Sequence, residues 1–199
     1  MSQTKNMDSV GTLTLRLLVI TLAAGLILGL VYALTKEPIA EQQALKANLS
    51  RQAVMPDGED FTPMDLAAVG ADGDTYGIIE DIYTAADSSG GTVGYTMSVR
   101  TNGYSPNLCL MVGIDTAGVV TGVDITSHEE TAGLGANATS PEFLGQYVGA
   151  DGPLVVAKTP TGVTGEIQAL TGATITSRAV TDAVNLCRDF FAEYLAGEG

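Results

Sequence analysis

The chain carries the stretch LTGATITSR at residues 170–178, and a long amphipathic pattern begins immediately after it. Four hydroxyl side chains crowd into this stretch: Thr171, Thr174, Thr176 and Ser177. The pattern places them at or near a helix N-terminus, where unpaired N–H groups and the positive end of the helix dipole suit a phosphate. A hydroxyl in such a place can cap the helix, bind a phosphate or be esterified to one, and the residues alone leave these alternatives open.

The residues after this stretch predict a helix over about 177–195, with one apolar face formed by Val180, Val184, Cys187, Phe191 and Leu195. Upstream, segments rich in apolar and β-branched residues predict strands at 78–84, 92–100, 108–114, 119–126 and 154–157. A turn at 115–118 favours a hairpin, and a short helix is predicted at about 141–148. The sequence therefore predicts an α+β fold, in which helices flank a mainly antiparallel sheet.

Residues 17–34 contain no charged side chain, and Arg16 and Lys36 flank them. A helix of this length spans about 28 Å, close to the thickness of the hydrocarbon core of a bilayer. We predict a short tail at 1–16, one transmembrane helix at 17–35, a helical stalk and linker at 36–60 and one soluble domain at 61–199. A cleaved signal peptide is the alternative. The GxxxG spacing of Gly25 and Gly29 would admit a partner helix, and chance is its alternative.

The chain has 199 residues and a formal net charge of −14, and the excess of acidic residues lies beyond the predicted span. Nucleic acid is excluded as a partner because its phosphates would be repelled. Two cysteines and one histidine do not supply the ligands of a metal cluster, a zinc ribbon or an attached haem. We predict that Cys109 and Cys187 are buried free thiols, with a disulfide as the alternative, and that His128 forms a local hydrogen bond.

A second stretch, HEETAGLG at residues 128–135, directly follows a predicted strand. Gly133 and Gly135 flank Leu134, which favours a loop that lets a flat ligand lie close to the backbone. An ordinary surface loop is the alternative. The chain has neither a GxxxxGK[ST] nor a GxGxxG pattern, so the sequence predicts neither an ATP-binding loop nor a dinucleotide fold.

The TGATITS and HEETAGLG stretches, the GIDTAGVVTGVDI hairpin and the N-terminal span together resemble the FMN-binding domain family. Within it the chain is similar to the G subunits of Rnf electron-transport complexes, and the C subunits of sodium-translocating NADH:quinone reductases are the alternative. The resemblance implies that FMN is joined through its phosphate to Thr174, the last residue of the [ST]GAT core. The other cofactor-binding residues that it implies are Thr171, Gly172, Ala173, Thr176, Ser177, Glu130, Thr131, Gly133, Leu134, Gly135 and Lys158.

The same resemblance implies an electron carrier within a redox-driven ion pump, which couples ferredoxin oxidation and NAD reduction to sodium or proton export. The implied partners are the other membrane subunits, membrane lipid and a separate flavin transferase that uses FAD, since no histidine base lies near Thr174 in the sequence. The soluble domain is expected on the extracytoplasmic side of the cell membrane. No catalytic residue and no metal ligand are predicted.

Two positions depart from the family pattern, which usually has proline in place of Ala132 and an acidic residue in place of Gln168. An alternative function of another class is a membrane-tethered sensory or scaffolding module, which would bind a phosphorylated ligand without electron transfer.

Overall fold

The computed structural model describes residues 10–70 and 73–197, so the first nine residues of the predicted tail lie outside it. Contacts divide the chain into two compact units, with the boundary in the sequence between Leu45 and Lys46. Helix α1, Val10–Val54, contributes to both units and contains Pro38. In the described part of the chain, α1 is the one helix whose length and composition would allow it to cross a membrane. Beside Gly25 and Gly29 on this helix there is open space.

The second unit is built on an antiparallel sheet of five strands that are neighbours in chain order. The strands are β1 (Asp60–Met64), β2 (Ile79–Ala86), β3 (Thr92–Thr101), β4 (Leu108–Asp115) and β5 (Val120–Ser127). Two short helices, α2 (Leu66–Val69) and α3 (Gly73–Tyr76), lie between β1 and β2 in the sequence. The sequence did not predict β1, a short strand at the edge of the sheet, where Pro63 needs no ladder partner for its nitrogen.

Beyond the sheet come α4 (Pro141–Leu144), the parallel strand pair β6 (Val155–Ala157) and β7 (Glu166–Gln168), and α5 (Thr174–Phe190). A short 3₁₀-helix, Gly135–Thr139, precedes α4, and a π-helical turn, Phe191–Leu195, continues α5. The last helix therefore begins three residues before its predicted start at residue 177. The predicted α+β fold with a mainly antiparallel sheet is confirmed.

The core of the second unit lies between α5 and one face of the sheet. The predicted apolar face of the last helix is buried in it, and Val180, Val184 and Cys187 have no exposed surface. Tyr95 of β3 packs against Phe191, with ring centroids 6.0 Å apart. Both cysteines are free, as predicted, but only Cys187 is buried, whereas Cys109 is half-buried. Burial raises the pKa of the Cys187 thiol, which keeps it protonated and unreactive.

The last turn of α1 covers the opposite face of the sheet. Gly113 of β4 and Gly122 of β5 are paired across the ladder, and a Cβ atom on either one would run into the backbone of Val54. The hydroxyl of Thr121 donates a hydrogen bond of 2.5 Å to the carbonyl oxygen of Val54. The guanidinium of Arg51 lies 3.6 Å from the ring centroid of Tyr83, a cation–π contact. Residues 51–54 therefore pack on the sheet, and contacts place the chain from Lys46 onward in the second unit.

Candidate functional site

A cavity of about 550 Å³ lies where the two stretches singled out in the sequence meet. One wall is the 128–135 loop after β5, a second is the start of α5 with the turn before it, and a third is the 102–107 loop between β3 and β4. The lining residues are Tyr104, Glu130, Thr131, Leu134, Gly135, Gly172, Ala173, Thr174, Ile175 and Thr176. The fold thus brings into one cavity two segments that are about forty residues apart in the chain.

The turn before α5 leads into backbone amides that have no acceptor within the helix. Gly172 has a φ of +76°, a left-handed conformation that favours glycine, and Ala173 is the N-cap residue. The first helical hydrogen bond runs from the Ser177 nitrogen to the Ala173 oxygen at 3.0 Å. The N–H groups of residues 174–176 therefore precede the helical ladder, and they form the positive end of the helix dipole.

The hydroxyls of the stretch have different roles. Ser177 is buried; its hydroxyl accepts from the Leu170 nitrogen and donates to the Ala173 oxygen, each at 3.0 Å. Thr176 is also buried, and its hydroxyl donates to Glu130 Oε2 at 2.8 Å. No side chain caps the helix at Ala173. Ordinary capping, one of the three alternatives left open by the sequence, therefore does not account for these hydroxyls.

Thr174 is the first residue of α5, and its half-buried side chain lines the cavity. Of the cavity-lining hydroxyls in this stretch, that of Thr174 is the one that forms no hydrogen bond to another residue within 10–70 and 73–197. It lies beside the unpaired amides of the first helical turn, so an acidic group attached to it or bound near it would meet hydrogen-bond donors.

Glu130 ties three segments together at the floor of the cavity. Its carboxylate is buried and accepts at both oxygens, from the Ser105 nitrogen at 3.0 Å and from the Thr176 hydroxyl at 2.8 Å. A Cβ atom on Gly103 or on Gly135 would overlap this carboxylate. The sequence predicted Glu130 as a wall residue, and the structure adds a role as a bridge between the 102–107 loop, the 128–135 loop and α5.

The rim of the cavity is apolar and exposed. Leu134, Ile175 and Tyr104 have 44%, 56% and 72% of their surface exposed. Sequence reasoning missed Tyr104, which lies in a loop far from both stretches, and Ile175, which lies inside the TGATITS stretch and was passed over because it is apolar. Apolar side chains around a few polar groups are typical of sites for small molecules.

A tight turn presents Leu134 to the cavity. The Leu134 nitrogen donates to the Thr131 oxygen at 3.1 Å, which closes a four-residue turn. Gly133 has a φ of +77° at the third position of this turn, the conformation of a type II turn. Ala132 therefore occupies the position at which proline is favoured.

Four residues predicted for the site do not line the cavity: Thr171, Gly133, Lys158 and Ser177. Gly133 is exposed in the turn before Leu134 and Ser177 is buried in the first turn of α5, whereas Thr171 is exposed in a separate recess beside Gln168. Lys158 is exposed just after β6. The Glu130 nitrogen donates to His128 Nδ1 at 3.3 Å, the kind of local hydrogen bond that was predicted for this histidine. Within the described residues, no three His, Cys, Asp or Glu side chains form a metal-binding group.

The comparisons with known proteins agree with this geometry. The FMN-binding domain family matches residues 103–189, a range that includes the whole cavity lining. The chain is 35% identical over 176 residues to the G subunit of the ion-translocating oxidoreductase complex of Methanosarcina acetivorans, covering 87% of this chain and 90% of that protein. It is 31% identical over 184 residues to the G subunit of the proton-translocating ferredoxin:NAD(+) oxidoreductase complex of Clostridium ljungdahlii, covering 92% of each.

Among solved structures, the chain is similar to the C subunit of the Na(+)-translocating NADH-quinone reductase from Parabacteroides distasonis, with a TM-score of 0.50 and 23% identity. The match covers 60% of this chain and 64% of that chain, a little under two thirds, and it supports the fold alone. The identity to the two G subunits extends over most of the chain. The chain therefore belongs to the family of G subunits of Rnf-type ion-translocating oxidoreductase complexes.

Proposed function

We propose that this chain is the membrane-anchored, electron-carrying subunit of a redox-driven, ion-translocating ferredoxin:NAD oxidoreductase complex, and that it carries FMN as a phosphoester of Thr174. The observation that carries the proposal is the position of Thr174. It is the first residue of α5, it lines a cavity of about 550 Å³, and its hydroxyl is unpaired within the described residues. The names of the related G subunits support the kind of complex.

The residues present fit FMN in size and in chemistry. The cavity volume lies within the range of about 300–1,000 Å³ that is usual for small-molecule sites. A phosphodiester on Thr174 would keep one negative charge, which the amides and the dipole at the start of α5 stabilise. Leu134, Ile175 and Tyr104 offer apolar surface for a flat ring. When bound, FMN supplies the electron chemistry, and the protein holds it in place and tunes its potential.

The attachment requires a second protein. The ionisable groups that line the cavity are Tyr104 and Glu130, and the Glu130 carboxylate already accepts two hydrogen bonds, so no free base is available to activate Thr174. We therefore propose a separate flavin transferase that uses FAD. The threonine oxygen would bond to the FMN phosphorus, the pyrophosphate bond would break, AMP would leave, and the hydroxyl proton would pass to the transferase.

The chain would act at the cell membrane as a single-pass subunit. Residues 17–35 of α1 would lie in lipid, the other membrane subunits of the complex would contact them, and the second unit would lie on the extracytoplasmic side. A signal sequence would satisfy the same length and composition, and detection of residues 17–34 in the mature protein decides between the two.

The test is in-gel flavin fluorescence of the denatured full chain after co-expression with a flavin transferase. We expect a fluorescent band for the wild type and for Thr171→Ala, and none for Thr174→Ala. The tryptic peptide spanning 159–178 contains both threonines and should carry one FMN mass in the wild type. Fluorescence retained by Thr174→Ala would reject the site. A wild-type chain from native membranes without covalent flavin would favour the sensory alternative.

A further inference from the structure

We propose that Glu130 is a positioning residue that joins the three walls of the cavity and holds a fixed negative charge against the bound flavin, which lowers its reduction potential. The part concerning the flavin rests on the proposed function. The part concerning the walls stands on the chain alone.

The geometry of Glu130 is unusual for an acidic residue in a strongly acidic domain. Only 8% of its surface is exposed, whereas the adjacent Glu129 is more open to solvent. Each of its carboxylate oxygens accepts one hydrogen bond, from a loop amide 25 residues earlier and from a helix hydroxyl 46 residues later. Burial of a carboxylate without hydrogen-bond donors would cost free energy of folding, so Glu130 can be buried because it accepts these two bonds.

The carboxylate fits in its place because the residues on both sides of it are glycines, which have no side chain. A side chain at Gly103 would overlap Glu130 Oε1, and a side chain at Gly135 would overlap Glu130 Oε2. The three walls therefore meet at this group, and its loss would free the 102–107 loop from the start of α5. Because Thr176 lies two residues after Thr174, the bond from Thr176 also fixes the helical turn that presents the attachment site.

The negative charge of Glu130 should affect the reduction potential of the bound flavin. Glu130 lines the cavity and is itself buried, and a buried charge interacts more strongly with its neighbours than a charge in water. A nearby negative charge opposes the addition of electrons to a flavin. Removal of the charge should raise the midpoint potential of the flavin. Removal of the Thr176 hydroxyl keeps the negative charge of Glu130 but takes away a donor that partly offsets it. The midpoint potential of the flavin should therefore fall.

The first experiment is a redox titration of the flavin-loaded full chain in detergent, followed by flavin absorbance. Glu130→Gln preserves the shape and removes the charge, and it should shift the midpoint to a more positive value. Glu129→Gln makes the same charge change at a more solvated neighbour and should leave the midpoint unchanged. Thr176→Val should shift it in the negative direction. If Glu130 had only a structural role, the midpoint shifts of Glu130→Gln and Thr176→Val would not have opposite signs.

The second experiment needs no flavin. In the Thr174→Ala background, replacement Glu130→Ala should speed hydrogen exchange of the Ser105 amide about tenfold or more, because that amide loses its acceptor. The Glu59 amide, which donates to Ala86 in the sheet at 2.8 Å, serves as the internal control and should not change.

The outcomes distinguish a failure of the role of Glu130 from a failure of the proposed function. Equal midpoints for Glu130→Gln and Glu129→Gln in flavin-loaded chains would overturn the role of the charge and leave the proposed function intact. Unchanged exchange at Ser105 would overturn the joining of the walls. A wild-type chain without flavin in native membranes would overturn the proposed function, and the role of the charge with it.

Discussion

Replacement of Gly135 by alanine should destabilise the second unit strongly, although glycine-to-alanine is the smallest possible side-chain addition. The new Cβ atom would overlap Glu130 Oε2 and lie 2.8 Å from Thr176 Oγ1. The carboxylate would have to leave its position and lose its hydrogen bonds to the Ser105 nitrogen and the Thr176 hydroxyl. Hydrogen bonds to charged groups are each worth about 1.5–3 kcal/mol, so we expect a loss of about 3–6 kcal/mol in the free energy of unfolding.

Two other glycines supply matched controls. Gly133 has open space around it but a φ of +77°, so Gly133→Ala should cost only about 1–2 kcal/mol of backbone strain. Gly145 has open space and a φ of −62°, an ordinary helical conformation. Gly145→Ala should therefore be neutral or stabilise by about 0.4–1 kcal/mol, because alanine restricts the unfolded chain.

The assay is thermal unfolding of the full chain in detergent, followed by the near-ultraviolet circular dichroism of the tyrosines. For a domain of this size, about 1 kcal/mol corresponds to about 2–4 °C, so Gly135→Ala should unfold about 6–24 °C below the wild type. The order of stability should be Gly145→Ala first, Gly133→Ala next and Gly135→Ala last. A melting temperature for Gly135→Ala equal to that of Gly133→Ala would refute the claim that the Glu130 carboxylate occupies that space.

Two further predictions concern the turn at residues 131–134 and the two cysteines. Replacement Ala132→Pro should raise the free energy of unfolding by about 0.4–1 kcal/mol, measured by urea denaturation, because Ala132 occupies the second position of a type II turn whose third residue is Gly133; a loss of stability would contradict this turn assignment. Burial raises the pKa of the half-buried Cys109 thiol, so its labelling by a maleimide should accelerate only at a pH above that required by a free cysteine. Cys187 should stay unlabelled until the chain unfolds, and labelling of Cys187 in the folded chain would contradict its burial.

The sequence predicted those parts of the fold that depend on local periodicity. Four of the five strands of the large sheet and the buried face of α5 follow from patterns within single segments. Strand β1 was missed because five residues that include Pro63 carry no strand signal of their own, and pairing with β2 stabilises them. The start of α5 was placed too late because the hydrogen bonds of Thr176 and Ser177 to groups outside the helix order the first turn.

The candidate site was predictable to a similar extent. The two stretches that form its walls were recognised by their composition and by their resemblance to a family. The bridge made by Glu130 was not, because it joins residues 25 and 46 positions away along the chain. Tyr104 lies in a loop with no distinctive pattern, and only the folded chain places it at the rim.

The paired glycines of β4 and β5 have a practical consequence for anyone who wishes to prepare a water-soluble fragment. A fragment beginning at residue 61, the predicted start of the soluble domain, would lack Val54 and expose a shallow trough over Gly113 and Gly122. Strand glycines contribute little to their own sheet, so such a fragment should aggregate. A fragment that starts at Lys46 would keep the last turn of α1, which covers this face of the sheet.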